Sequence, residues 1–214
     1  TFAEKAKKLL VNDKVASVMG CWTSASRKAV LPVFEQYNGM LYYPTFYEGL
    51  EQSKNVIYTG QEATQQILAG LNWIAKEKGA KSFFFIGSDY IWPRTSNKIA
   101  RKHVENVLKG KVVGEEYTPF GVKDFAPTIR KIADSGAKVL VLTLPGADGV
   151  TFVKQFVAAG MKDKVRIAFM GFNENYLPGF TGSESDGIVT CSHFIQTLDR
   201  PEAKDFVARQ RKRF

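Results

Sequence analysis

The amino-acid sequence predicts an α/β protein built on doubly wound parallel β-sheets. Short apolar segments of strand length alternate with amphipathic helical segments along the whole chain. This alternation with short connections is typical of right-handed βαβ units. The strand predicted at residues 81–87 is apolar on both faces, with four consecutive apolar side chains at residues 83–86, which is expected of a strand covered by helices on both sides. The sequence therefore indicates parallel sheets enclosed by helices.

The predicted elements follow in chain order, and each is delimited by local signals. Predicted helices cover residues 2–10, 24–34, 61–78, 94–108, 124–133, 147–159 and 201–214. Predicted strands cover residues 15–20, 40–43, 56–58, 81–87, 111–117, 138–143, 166–170 and 187–192. Ser24 is the predicted cap of the second helix, Pro44 ends the second strand, and Gly79 and Gly160 follow helices. Both ends break off within helical patterns, so we expect a longer chain.

Composition excludes several classes of protein. The 214 residues suffice for one large or two small domains, with 44% hydrophobic and 24% charged residues. No apolar segment approaches the ~20 residues that cross a bilayer. Two separate cysteines and two separate histidines give no metal-binding pattern. The net charge of +9 is spread along the chain, apart from a basic end that is typical of a solvated helix. We predict no metal, no cofactor and no nucleic-acid partner.

Ligands of parallel sheets bind beyond the carboxyl ends of the strands, which selects five loops for attention. These are residues 20–27, 44–48, 87–94, 143–148 and 171–176. None contains a nucleotide-binding GxGxxG or GxxxxGK[ST] motif, and no GxSxG nucleophile motif is present. The loops offer no evident catalytic pair, so we predict no catalytic residues.

The first three of these loops combine hydroxyl groups with aromatic rings. Ser24 and Ser26 enter a helix, where free backbone N–H groups can donate to an anion or a carbonyl oxygen; alternatively, Ser24 only caps its helix. Residues 42–47 hold three tyrosines and a phenylalanine, and Tyr90 and Trp92 follow the strand that is apolar on both faces. Aromatic side chains at strand ends bury large areas and favour a flat ligand of low charge, or else a lid on the local core.

Four segments of the sequence closely resemble one known family. GCWTSASRKAVLPVFE, LYYPTFYEGLEQSKNVIYTG, FFFIGSDYIWPRTSNKIA and GEEYTPFGVKDFAPTIRKI resemble the urea and short-chain-amide binding proteins. These belong to the branched-chain-amino-acid type of periplasmic solute-binding protein, the type I fold. The similarity runs from about residue 15 to residue 194. The strings are long and occur in order, so they point to the urea and amide branch of the family.

The resemblance implies a two-lobed fold with the ligand between the lobes. The first lobe would comprise residues 1–60 and be incomplete, the second would comprise residues 61–190, and residues 191–214 would return to the first. It also implies a binding protein without enzymatic activity, periplasmic or anchored at the cell surface. The implied partners are a small neutral ligand, urea or a short amide, and the membrane permease of an ABC importer.

The family's ligand groups, carried over by motif, fall in the selected loops. They are Trp22, Ser24, Tyr43, Thr45, Tyr90, Trp92, Leu144, Pro145, Gly146, Asn173 and Glu174. The Ser24 hydroxyl and nearby helix N–H groups would donate to the urea oxygen. Tyrosine hydroxyls, backbone carbonyls and Glu174 would accept from the nitrogens, while Trp22, Tyr90 and Trp92 would cover the flat faces.

Three other functions are compatible with the same residues. One is a cytoplasmic or receptor-linked amide sensor of the same fold. Another is a branched-chain amino-acid binding protein, in which Ser24 and Ser26 would hold the carboxylate and Asp89 or Glu174 the ammonium group. An enzyme is the third. Binding measurements with urea, acetamide and leucine would distinguish the amino-acid binding protein from the urea-binding function, and a signal peptide or lipobox upstream would distinguish a transport component from a sensor.

Overall fold

The computed structural model describes residues 1–214, apart from the side chain of Lys78. The strands are β1 (Val18–Met19), β2 (Leu41–Tyr43), β3 (Val56–Tyr58), β4 (Ser82–Ser88), β5 (Lys111–Thr118), β6 (Val139–Thr143) and β7 (Arg166–Phe169). The helices are α1 (Phe2–Lys7), α2 (Ser24–Gln36), α3 (Ala69–Lys78), α4 (Ile91–Asn106), α5 (Ala126–Asp134), α6 (Ala147–Ala158) and α7 (Pro201–Arg213). All strand pairs are parallel, which confirms the predicted fold class.

The first sheet has the strand order β1-β2-β3. Side chains alternate across a strand, so Leu41, Tyr43 and Val56 point to one face and pack against α1 and α2. Val30 and Phe34 of α2 complete this small core. The opposite face carries a row of paired positions, Met19, Tyr42 and Ile57, whose side chains are exposed. One face of this sheet is therefore covered and the other is bare.

The second sheet has the order β5-β4-β6-β7, with β4 and β6 in the centre. Phe83 and Phe85 of β4 pack under α3 and α4, whereas Phe84 and Ile86 pack under α5 and α6. All five residues of β6 are buried. The helices thus cover both faces, as the continuous apolar pattern of these strands predicts.

Several predicted boundaries differ from the observed ones. The strand predicted at residues 187–192 is a single bridge between Ala168 and Val189, because the chain passes β7 at one point only. The helix predicted at residues 61–78 begins with a π-helical turn, Thr64–Leu68, before α3. Helix α4 begins three residues earlier than predicted, so Ile91 and Trp92 lie in its first turn.

The carboxyl ends of the strands of both sheets lead into the five loops selected above. The chain passes from β3 in the first sheet to α3 beside the second, and Cys191 later returns to contact the carbonyl of Gln65. The division into lobes at residues 60 and 190 stays a prediction. Across the described residues, no helix combines the length and apolar character needed to cross a membrane.

Gly149 in α6 provides a test of how closely this helix approaches β7. A Cβ at this position would lie 2.4 Å from the Leu144 carbonyl oxygen and 2.4 Å from the Phe169 ring. Alanine usually stabilises a helix interior by about 1 kcal/mol relative to glycine. Here we expect Gly149→Ala to lower the free energy of unfolding by ~1–3 kcal/mol, because the helix and strand must separate. Guanidinium chloride denaturation measures this.

The matched control is Gly70→Ala in α3. A Cβ there would make only ordinary contacts, the nearest being 3.6 Å from the Cys191 Cβ. We expect this variant to be as stable as the wild type or more stable. Equal destabilisation by the two substitutions would contradict the close approach of α6 to β7.

Candidate functional site

Loops from both sheets meet around a small cavity, which we call the inner cavity. The first sheet contributes the β1–α2 loop and the segment after β2, and the second contributes the segments after β4 and β6. The lining residues are Trp22, Thr23, Ser24, Thr45, Phe46, Tyr90, Trp92 and Pro145. The cavity volume is ≈ 10 Å³, which is about the space that one water molecule requires. The two sheets are therefore closely apposed at this point.

A larger cavity, which we call the outer cavity, adjoins the inner one. Its volume is ≈ 410 Å³. The lining residues are Trp22, Phe46, Gly146, Ala147, Val150, Gly171, Asn173, Asn175, Tyr176 and Gly179. Trp22 and Phe46 line both cavities, so these two rings form the wall between them.

The structure places most of the predicted site residues at one of the two cavities. Trp22, Ser24, Thr45, Tyr90, Trp92 and Pro145 line the inner cavity, and Trp22, Gly146 and Asn173 line the outer cavity. Their contact with a ligand stays a prediction.

Three predicted residues line neither cavity. The Tyr43 hydroxyl donates to the Trp22 carbonyl at 2.8 Å, so Tyr43 holds the backbone of the β1–α2 loop in place. Leu144 is fully buried in the core between β6 and α6. Glu174 accepts the backbone N–H of Gln196, which links the loop after β7 to the returning chain.

The start of α2 differs from the prediction that Ser24 caps this helix. The cap is Thr23, whose hydroxyl oxygen accepts the Ser26 N–H at 3.1 Å. Ser24 lies in the first turn, and its hydroxyl donates to a Glu48 carboxylate oxygen at 2.6 Å. The capping interpretation of Ser24 is therefore wrong, because the neighbouring threonine takes that role and leaves Ser24 to contact Glu48.

A buried guanidinium group connects the first two loops. Arg27 is 0% exposed and donates to Glu48 at 2.7 Å, to Glu51 at 2.8 Å and to the Ser24 hydroxyl at 3.2 Å. Lys28 forms a further ion pair with Glu51 at 2.6 Å. We call Ser24, Arg27, Glu48 and Glu51 the Arg27 cluster. Its buried charges are balanced by direct hydrogen bonds, which is the condition for keeping charges out of water.

Tyrosine rings enclose the guanidinium group. The Arg27 Cζ lies 4.8 Å from the ring centre of Tyr43 and 5.0 Å from that of Tyr47. Tyr47 stacks on Tyr58 with ring centres 4.9 Å apart. A delocalised cation favours such aromatic surroundings. The aromatic residues predicted to cover a ligand thus partly serve to hold Arg27.

The cluster shifts the ionisation of its members. Burial alone would lower the pKa of Arg27, but hydrogen bonds to Glu51 and Glu48 and their charges outweigh burial and raise that pKa. Burial raises the pKa of Glu51, but hydrogen bonds from Lys28, Tyr58 and Arg27 outweigh it, so the net pKa is lowered. Both groups are therefore held in their charged forms.

Tyr90 and Trp92 bring the second sheet to the inner cavity. Burial raises the pKa of Tyr90, and the nearby Tyr43, Glu48 and Tyr176 raise it further. Its hydroxyl thus stays neutral. Trp92 is 2% exposed, and its indole Nε1 has no hydrogen-bond partner among the described residues. A buried donor without a partner is costly, so this group is available to a ligand.

Phe46 follows β2 in the first sheet, and its ring contacts residues that follow strands of the second sheet. Its ring centre lies 5.2 Å from that of Trp92. A Cβ at Gly171 would lie 2.5 Å from the Phe46 ring, so only glycine leaves room for the ring at this point. Phe46 therefore fits into a notch formed by the loop after β7.

Sequence reasoning did not select Arg27, Phe46, Glu48 and Tyr176 as site residues. Arg27, Phe46 and Glu48 lay within selected loops, but their contacts join positions about twenty residues apart or cross between the sheets. Tyr176 ends the last selected loop, and its hydroxyl accepts the Gly146 N–H at 2.9 Å. A charged residue inside an otherwise uncharged loop was the available signal for Arg27 and Glu48.

The fold is that of the type I periplasmic binding proteins, and sequence comparison agrees. Residues 1–214 match the family described as "Periplasmic binding protein domain". The chain belongs to this family.

Individual relatives are similar over nearly the whole chain. The Leu/Ile/Val-binding protein homolog 6 of Brucella melitensis biotype 1 is 27% identical over 212 residues, which cover 97% of this chain and 54% of the relative. The chain thus spans about half the length of the curated relatives it matches.

Solved structures show the same similarity. A solute-binding protein of an ABC transporter from R. palustris, in complex with 4-hydroxybenzoate, has a TM-score of 0.86 and 27% identity. The match covers 99% of this chain and 58% of that one. The substrate-binding protein LivJ from Streptococcus pneumoniae, in complex with isoleucine, has a TM-score of 0.83 and 20% identity over 100% of this chain and 61% of that one, which shows the fold alone.

Glu51→Gln tests whether the Arg27 cluster stabilises the fold through charge. The folded-state pKa of Glu51 lies below its ordinary value of 4.5, so its carboxylate stabilises the fold above that pH. This contribution disappears as the pH falls through the folded-state pKa. We expect Glu51→Gln to lower the free energy of unfolding at pH 7 by about 2 kcal/mol and to flatten its decline below pH 4.5.

Guanidinium chloride denaturation from pH 7 down to pH 3 checks this expectation. The matched control is Glu35→Gln, since Glu35 is exposed and its carboxylate accepts only the Ser53 hydroxyl among the described residues. An acid decline of unchanged steepness in Glu51→Gln would contradict a charge-based role of Glu51.

Proposed function

We propose that this protein is the extracytoplasmic solute-binding component of an ABC importer and that its ligand is urea or a short-chain amide. Family membership supports the first part, since relatives of known structure are solute-binding proteins of ABC transporters. The protein would hold its ligand between the two sheets and present it to a membrane permease. It would carry out no reaction on the ligand.

The observation that favours a neutral ligand is the position of the Glu48 carboxylate, which accepts the Ser24 hydroxyl. A carboxylate ligand needs a cation or free donors at the start of α2. In this protein, the Glu48 carboxylate already accepts from Ser24 and Arg27. The described residues that line the inner cavity include no lysine, arginine or histidine. An anionic ligand would find no free cation among these described residues, because Arg27 already pairs with Glu48, whereas a neutral amide needs no cation.

The available groups suit an amide. The Trp92 indole N–H is a donor without a partner among the described residues and would donate to the amide oxygen. The Tyr90 and Ser24 hydroxyl oxygens would accept from amide nitrogens. The Ser24 hydrogen is directed to Glu48, which reverses the role expected for Ser24 from the family resemblance. Trp22 would cover one face of the flat ligand.

The size of the inner cavity indicates that binding involves movement. Space for one water molecule is too small for urea, which has four heavy atoms. Ligand entry therefore requires separation of the two sheets or displacement of a wall residue. Hinge closure around a ligand is an established type of motion in binding proteins of this class.

A second candidate ligand is an aromatic carboxylate. The relative from R. palustris at 27% identity is in complex with 4-hydroxybenzoate, and aromatic rings line both cavities here. The Arg27 cluster is the observation against it. An amide sensor in place of a transport component would use the same site and differ only in its protein partner.

Isothermal titration calorimetry with urea, acetamide, 4-hydroxybenzoate and isoleucine tests the ligand class. We expect heat of binding with urea or acetamide and none with the two carboxylates, because the described residues lining the inner cavity offer no free cation to pair with them. Ammonia release from urea would contradict a binding protein. Tight binding of 4-hydroxybenzoate without binding of the amides would overturn the neutral-ligand proposal and favour the second candidate.

Tyr90→Phe tests whether the second sheet contributes a hydrogen bond to the ligand. The ring remains and only the hydroxyl is lost, so packing against Trp92 is preserved. We expect the affinity for the amide to fall by roughly 1 kcal/mol, mainly through faster dissociation. The control is Tyr117→Phe, which removes a hydroxyl bonded to Glu115 on the same sheet, away from the lining of both cavities. An unchanged dissociation constant in Tyr90→Phe would remove Tyr90 from the site.

A further inference from the structure

The proposed urea site lies at the inner cavity, and the outer cavity shares a wall with it. That wall consists of Trp22 and Phe46. An amide group in the inner cavity can project a substituent towards this wall. The properties of the wall therefore decide whether a substituted amide can be accommodated.

The two wall residues are constrained to very different degrees. Phe46 is held between the Trp92 ring and the notch at Gly171. Trp22 is 54% exposed, and its ring edge lies 4.0 Å from the position of a Cβ at Gly146, an ordinary contact. Trp22 can change its side-chain conformation at little cost in packing. Such a movement would join the two cavities and leave Phe46 in place.

The chemistry of the outer cavity suits an uncharged, flat substituent. Val150, Ala147 and Tyr176 provide apolar surface, and the described residues that line this cavity include no charged side chain. Its polar groups are already engaged in part: the Asn173 side chain accepts the Asn175 N–H, and the Tyr176 hydroxyl accepts the Gly146 N–H. A volume of ≈ 410 Å³ falls within the range of known small-molecule sites.

We propose that the protein binds substituted amides across both cavities, with the amide group at Ser24, Tyr90 and Trp92 and an apolar substituent of up to ring size between Val150 and Tyr176. This inference rests on the proposed function and specifies the class of amide. Trp22 is the residue that moves to admit the substituent. The protein would then prefer an aryl or alkyl amide to urea.

The test uses calorimetry with urea, acetamide and benzamide on the wild-type protein and on Asn175→Trp. Asn175 is an exposed residue at the rim of the outer cavity, so a bulky side chain there fills the cavity without disturbing a core. We expect wild-type protein to bind benzamide more tightly than urea. Asn175→Trp should weaken benzamide binding about tenfold and change urea binding by less than about twofold.

The control is Asn106→Trp, the same substitution at an exposed position at the far end of α4. It should leave both affinities unchanged. A second variant, Val150→Ala, enlarges the outer cavity and should favour 4-methylbenzamide over benzamide relative to the wild type.

The possible failures are distinguishable. Binding of urea with no gain for benzamide would overturn this inference and leave the proposed function intact. Equal weakening of urea and benzamide by Asn175→Trp would also overturn it, because the substitution would then act on the whole site. Absence of binding for all three amides would overturn the proposed function, and this inference with it.

Discussion

The buried positive charge of Arg27 is the constraint on which the first sheet's part of the site depends. A guanidinium group away from water must have its donors satisfied, and here Glu48, Glu51 and Ser24 satisfy them. These partners belong to the start of α2 and to the segment that follows β2. The ion pairs therefore fix two loops to each other and place Ser24 beside the inner cavity. Because Arg27 is paired with carboxylates of its own cluster, its charge is not available to bind an anionic ligand.

The second sheet reaches the same place through aromatic packing. Trp92 lies in the first turn of α4, and Phe46 crosses from the first sheet to rest against it. Gly171 leaves the space that the Phe46 ring occupies. Hydrogen-bonded ion pairs thus fix the loops of the first sheet, and aromatic packing fixes the contact between the first sheet and the second. A movement between the sheets would break only the aromatic contacts, because all members of the Arg27 cluster belong to the first sheet's part of the site.

Much of this arrangement could be predicted from the sequence, because parallel sheets place their functional loops at one edge. The apolar pattern of residues 81–87 and 138–143 led to the correct sheet and hence to the loops with Tyr90 and Pro145. The pairing of Arg27 with Glu48 could not be predicted, since it joins residues 21 positions apart through side-chain geometry. The cap of α2 was also predicted wrongly, since Thr23 caps this helix and the Ser24 hydroxyl donates to Glu48. Leu144 shows the limit of the loop rule, as a residue just past a strand end that stays in the core.

The bare face of the first sheet has a consequence for how this polypeptide behaves in solution. Met19, Tyr42 and Ile57 form an apolar row across three strands, and Met19 is 79% exposed. Water in contact with such a row is released when any complementary surface covers it. The 214-residue polypeptide, prepared by itself, would then self-associate increasingly with concentration, and salts such as sulfate would promote the association. This apolar row would thus contribute to its colloidal behaviour.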